Sequence, residues 1–150
     1  MEYTEANLAR IFILRLHQGE IIHETVEKFA KTKEIKSAIC FFLGGADENS
    51  KLVVGPKDGK VIPPEIMVTM LKGVHGGVGV GTLFADEAGN PKLHMHGSFG
   101  RNDSSANAVT GCIRVGVQVW QIGEVAILEL SGTSAIRKKN KDTGFEMLEC

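Results

Sequence analysis

Two histidines one residue apart, His94 and His96, and a cysteine further along, Cys112, are the side chains of this chain best suited to holding a metal ion. If Leu93 to Ser98 is a β-strand, both imidazoles point to one face, because side chains alternate and a two-residue step spans roughly 6.6 Å. Imidazole and thiolate together suit zinc, and a set of three protein ligands leaves a fourth tetrahedral position open for water or substrate. The competing reading is a polar strand face that meets solvent or a neighbouring subunit. The long connection from His96 to Cys112 leaves open whether the three converge. A third imidazole, His75, lies in a glycine-rich stretch and is a surface turn residue, an additional ligand or a polar group lining the site. For a catalytic site, Arg101 or Arg114 would anchor a carboxylate or phosphate. Salt bridges between subunits account for both arginines equally well. No general base stands out, and Asp103 and Glu65 are the only carboxylates nominated for that role. Whether the chain is an enzyme stays open at this level.

Composition narrows the function classes. With 150 residues, 43% hydrophobic and 23% charged, the chain fits one domain with a real core, here taken as residues 1–150 with a core over about 8–131 and a tail over 132–150. A formal net charge of -1 gives no electrostatic footprint for nucleic acid, whose binders carry basic patches, so DNA is a weakly supported partner. The three cysteines at 40, 112 and 150 do not form a secreted disulfide framework, and a reducing cytoplasm is the expected location. No apolar run of about 18 residues is present, and the first residues lack the basic end and apolar stretch of a signal peptide, so neither membrane nor export is expected.

The elements that must position the site read as follows. Asn7 to His17 is a strand with Ile11 and Ile13 on one face and Phe12, Leu14 and Leu16 on the other, both faces expected to be at least partly buried. Ile21 to about Lys33 switches to helical spacing, with Ile22, Val26, Phe29 and Ala30 in one stripe; His17 and His23 read as a turn residue and a solvated helix position. Ser37 to Leu43 is a buried strand containing Cys40, which reads as a small hydrophobe, and Gly44-Gly45 is a flexible exit turn. Leu52 to Val54 and Glu65 to Leu71 are further strands. The five glycines between Gly73 and Gly81 lack a nucleotide-binding spacing and predict a bent strand lining the site. Asp86 to Lys92 is a hairpin connection into LHMHGS, and the small polar run after Arg101 is a loop. Val117 to Leu130 reads as a sheet-closing hairpin broken at Gly123, and the basic run from Arg137 to Lys141 as a solvated tail, with GFEMLEC a last strand or a docked terminus.

This order of elements, with LHMHGSFGR and the spaced TGCIRVGVQVWQIGEVAILEL, resembles the PPC family, the plants and prokaryotes conserved domain, over about residues 8–131. Many members carry a GGH motif after the His-x-His strand; here the matching stretch is TGC, so Cys112 stands where that histidine would be. The resemblance implies an α+β fold, a mostly antiparallel mixed β-sheet with one main α-helix. It also implies a homotrimer and, in prokaryotic members, a metal site, so that a zinc ion on His94, His96 and Cys112 with His75 nearby is the expected arrangement. Prokaryotic members are commonly described as DNA-binding, yet this chain has no Arg-Gly-Arg-Pro hook for AT-rich minor grooves. The family fold is similar to that of acetolactate decarboxylase, a zinc enzyme, which is fold-level analogy only.

Overall fold

In a computed structural model that describes residues 1–101 and 106–150, with Arg101 described for its backbone only, the chain folds around one large antiparallel sheet. The strands are β1 (Asn7–Leu16), β2 (Ser37–Ala46), β3 (Lys51–Pro56), β4 (Ile66–Met70), β5 (His75–Ala85), β6 (Pro91–Arg101), β7 (Ala108–Cys112) and β8 (Val119–Ser131). Their spatial order is β1-β8-β2-β5-β6-β7-β3-β4. A separate two-stranded hairpin, β9 (Ile136–Lys139) and β10 (Glu146–Glu149), follows the sheet. The α+β class and mostly antiparallel sheet expected from the sequence are the observed ones; among the described residues the one parallel contact is the isolated bridge between Asp86 and Arg137.

One helix, α1 (Ile22–Thr32), covers one face of the sheet. Its apolar stripe is the expected one, with Ile22, Val26 and Ala30 fully buried and Phe29 packed edge-on against Phe12 at 5.4 Å. No side chain caps its first turn; instead the Ile22 N–H donates to the Val117 carbonyl at 3.0 Å. At the other end Glu34 takes a left-handed conformation, φ 57°, and the Glu34 and Ile35 N–H groups return to the Lys31 and Ala30 carbonyls. That is a Schellman closure, and it drives Ile35 into the core beside Ala30.

The core lies between this helix and the inward face of the sheet, where Leu83, Leu93, Met95, Phe99, Val125 and Ile127 are all buried. β5 is the glycine-rich strand that the sequence leads one to expect. It pairs without interruption with β2 on one side and β6 on the other over its whole length, from His75 to Ala85. Its alternate glycines Gly77, Gly79 and Gly81 face the core and make room for the larger side chains of the next strand. A methyl at Gly79 would stand 3.0 Å from Met95 Sδ, and one at Gly81 would stand 2.6 Å from the Met95 Cβ.

Three expectations are corrected. Gly44-Gly45 is not a turn: both residues continue β2 across a bulge in its pairing with β8, and at Gly45 a methyl would meet the Trp120 carbonyl oxygen at 2.5 Å. Gly123 does not break a hairpin either, because β8 runs through it and its missing side chain admits Leu16 and Val119. The Ile11 and Ile13 face of β1 is open, at 57% and 76% exposure, whereas Leu14 packs against the core and Leu16 is buried within it.

Candidate metal centre

The outward face of the sheet carries the site. Pairing register places Ile13, Ala126, Phe41, Val80, His96, Cys112 and Val53 in one line across the strands. Directly paired residues in antiparallel strands have Cβ atoms roughly 4.5–5.5 Å apart, so Cys112 is brought beside His96 by register alone. His94 precedes His96 by two residues on the same face, with ring centroids 5.2 Å apart. The convergence that the long connection left open is therefore produced by β7 running back along β6.

The ligand-capable atoms of His94, His96 and Cys112 all lie within 4.8 Å of one another. Zinc bonds of about 2.0–2.3 Å in a tetrahedron keep ligand atoms roughly 3.4–3.7 Å apart, so modest side-chain adjustment closes this set on one ion. Two imidazoles and a thiol also have the right chemistry, and the residues present fit the group. Cys112 is buried, His94 half-buried and His96 exposed. Among the described residues no fourth histidine, cysteine or carboxylate joins the cluster.

Neighbouring groups fix the trio in place. Glu27 reaches from α1 to accept the Leu93 N–H at 2.8 Å, which ties the helix to the strand one residue before His94. Arg114, in a 3-10 turn at Ile113–Val115, donates from Nε to Cys112 Sγ at 3.1 Å. Burial first, then the positive charges of Arg114 and Arg137 and the neighbouring His96, pull the His94 pKa down to about 4, so this imidazole is neutral and available as a ligand at pH 7.

The trio lines a cavity of about 670 Å³, within the range that holds small organic ligands. Val53, Pro56 and Ile66 form one wall and Phe145, Met147 and Leu148 of the β9–β10 hairpin the other. A second cavity of about 230 Å³ adjoins it, sharing His94, Arg114, Arg137 and Glu146 and adding His23, Glu27 and Lys92.

The other nominated residues fall elsewhere. His75 is buried at the far end of β5, paired with Arg101 and Ala46, and its Nδ1–H donates to the Gly73 carbonyl at 2.9 Å. Five residues of strand separate it from Val80, the partner of His96, which is roughly 17 Å. Arg101 lies in the same pairing with His75, and its side chain lies outside the described residues. Glu65 is exposed and bonded to Lys57 at 2.8 Å, away from the cavity lining. Asp103 lies outside the described residues.

Sequence reasoning missed three groups. Arg137 was read as part of a solvated tail but is 5% exposed, donating from Nε to the Lys92 carbonyl and from Nη2 to Thr82 O and Oγ1. Alternation within the hairpin was the available signal: Ala135 and Arg137 are buried, whereas Ile136 and Lys138, which alternate with them, are only half-buried. Glu146 is a carboxylate that does line the cavity. His23, read as a solvated helix position, borders the smaller cavity with Nδ1 buried and unpartnered among the described residues.

An antiparallel sheet with one covering helix and a His-His-Cys cluster at a cavity wall defines a small α+β domain with a candidate metal site. The Plants and Prokaryotes Conserved (PCC) domain model matches residues 3–131, and the chain belongs to that family, also called PPC. A plant- and prokaryote-conserved protein from Pyrococcus horikoshii superposes with a TM-score of 0.80 at 25% identity, covering 100% of both chains. A protein from Archaeoglobus fulgidus described as metal-containing has a TM-score of 0.82 at 22% identity over 98% of both chains. One from Bacteroides thetaiotaomicron, described as a putative DNA-binding protein, has a TM-score of 0.74 at 17% identity over 96% of both chains. No curated protein matches the chain. No helix among the described residues is long and apolar enough to cross a membrane.

Proposed function

We propose that this chain is a cytoplasmic zinc-binding PPC-domain protein in which His94, His96 and Cys112 hold the ion at the wall of a small-molecule pocket. The observation that carries the reading is the mutual approach of the three ligand atoms, within 4.8 Å, at the edge of a mostly apolar cavity. Three protein ligands and an adjoining cavity favour an open site over a closed structural one. Zinc bound there supplies a Lewis acid able to polarise a carbonyl or activate water, which suits small-molecule carbonyl or hydrolytic chemistry. Arg114 orients the Cys112 sulfur and offers its remaining N–H groups to an acidic ligand.

The protein assembles as a homotrimer in this reading. Ile11, Ile13, Phe41, Leu43, Val78 and Val80 form an apolar field on the outward face, each between 44% and 76% exposed. Contiguous apolar residues on an open sheet face are the kind of surface that a subunit contact covers. A second reading, a DNA-binding or regulatory module with a structural metal, is favoured by the description of the Bacteroides neighbour; the net charge of -1 counts against it.

Metal content per subunit, measured on untagged protein, tests the proposal. Wild type should carry about one zinc per chain, and His94→Ala and Cys112→Ser should lose it. A wild type that stays metal-free after zinc reconstitution sinks the site. Light scattering at the mass of three chains supports the assembly, and a salt-sensitive gel shift on duplex DNA would move the balance to the second reading.

A further inference from the structure

The two arginines beside the candidate metal centre are not paired with carboxylates among the described residues. The two adjoining cavities are lined by Arg114, Arg137 and Lys92 against only Glu146 and Glu27. Glu27 is engaged with the Leu93 N–H, and Lys92 lies 4.0 Å from both Asp86 and Glu146, so the two arginines are the cations left without a close carboxylate. Among the described residues neither Arg114 nor Arg137 has a carboxylate within 4.0 Å. A divalent ion on the trio would widen the imbalance.

Arg137 is the more telling of the two. Its guanidinium is on a residue 5% exposed, and Nε and Nη2 are held by the Lys92 carbonyl at 3.3 Å and by Thr82 O and Oγ1 at 3.1 and 2.9 Å. Nη1 has no protein acceptor among the described residues, and neither do Nη1 and Nη2 of Arg114, whose Nε alone is committed, to Cys112 Sγ. Arg114 is exposed and the free Arg137 Nη1 is not among the fully buried unpartnered atoms, so both arginines keep N–H groups open toward the cavities they line. Planar forks of this kind match the two oxygens of a carboxylate.

We infer that Arg114 and Arg137 form an anion site beside the His94, His96 and Cys112 cluster, and that it takes the carboxylate of a small organic acid whose apolar body fills the larger cavity. This deepens the small-molecule reading above and rests on it. The apolar half of the assignment comes from Val53, Pro56, Ile66, Phe145, Met147 and Leu148, which give the larger cavity a continuous apolar share of its lining beside the polar side chains of the candidate metal centre. Both cavities share the two arginines, so the charged end lies at their junction, and His23 borders the smaller one. An inorganic phosphate would satisfy the arginines but leave the apolar wall empty. The opening is a pocket walled by a hairpin, a shape suited to a small acid and not to a duplex backbone.

Isothermal titration calorimetry of the full chain, zinc-loaded and metal-free, tests this with hexanoate, hexanamide and inorganic phosphate as probes. Hexanoate should bind one per chain in both forms, and Arg114→Gln and Arg137→Gln should each weaken it about tenfold or more, the loss expected for a charge-assisted hydrogen bond. Hexanamide and phosphate should bind at least about tenfold more weakly than hexanoate. Arg137→Gln also frees the hairpin, so Arg114→Gln, with its circular dichroism unchanged, carries the test independently. Absence of hexanoate binding in both forms, or binding unchanged in Arg114→Gln, overturns the inference, and phosphate binding tighter than hexanoate overturns the apolar-acid assignment. A chain that takes up no zinc yet binds hexanoate through Arg114 refutes the metal reading and supports the anion site; zinc uptake without hexanoate binding does the reverse.

Discussion

Phe99 and Gly97 provide a direct measure of how the ligand-bearing strand is packed. Phe99 is fully buried on the inward face of β6, and a methyl built at Gly97 would stand 2.5 Å from its Cε2 and 2.8 Å from its Cζ. The ring cannot easily retreat, because Gly77 on β5 is equally close beneath it and Phe42 packs at 6.4 Å. Gly97→Ala alone should therefore overpack the core and cost about 1–3 kcal/mol, even though alanine is otherwise the better strand residue. Phe99→Ala alone should cost about 3–5 kcal/mol through lost burial and the cavity left behind. In the double variant the clash has gone, the new methyl occupies part of the void, and alanine restores about 0.5–1 kcal/mol of backbone entropy. The double variant should then be more stable than Phe99→Ala, with a coupling of at least about 1.5 kcal/mol relative to additivity. Urea unfolding followed by far-UV circular dichroism gives all four corners of the cycle. Additivity within about 0.5 kcal/mol would refute the reasoning, since Gly97 would then have no part in seating the ring.

Three other outcomes follow from the same geometry. Gly81→Ala places a methyl 2.6 Å from the His94 carbonyl oxygen and 2.8 Å from the Met95 Cα, backbone that cannot rotate away; it should destabilise the chain by about 2 kcal/mol or more and weaken zinc uptake, read by urea midpoint and metal titration. Cys40 is fully buried and its thiol is pushed up to about 12 by burial alone, so iodoacetamide at pH 8 should label the exposed Cys150 within minutes and leave Cys40 untouched in peptide mass spectra until the protein unfolds. In metal-free protein the His94 pKa of about 4 lies below its unfolded value of about 6.5, so the unfolded chain binds the extra proton first. Stability should be unaffected by this group above pH 6.5 and fall as pH drops from there toward 4, and His94→Gln should flatten that part of the urea-midpoint profile.

The legible parts of the fold were those whose pattern has one physical meaning. Ile22, Val26, Phe29 and Ala30 can share a face only on a helix, and His94 and His96 share a face on any strand, so α1 and the histidine pair were readable. Glycine has several meanings, and the misreadings gathered there. Gly123 and Gly44-Gly45 mark places where another chain segment comes close, yet in sequence they look the same as turns. The outward face of β1 carries isoleucines that the sequence could not distinguish from core, since burial on that side depends on what covers the sheet. Convergence of Cys112 on the pair depended on the register of β7, which no local signal sets. Arg137 was hidden inside a basic run whose average character is solvated, although its own position alternates inward.

The family match ends at residue 131, and the β9–β10 hairpin begins after it. The cavity is thus assembled from two parts: a sheet that presents the His-His-Cys trio, and a C-terminal hairpin that contributes Arg137 and the Phe145, Met147 and Leu148 wall. Replacing Phe145, Met147 or Leu148 should therefore reshape the wall opposite the trio, while Arg137 keeps the hairpin tied to Thr82 and Lys92 of the sheet.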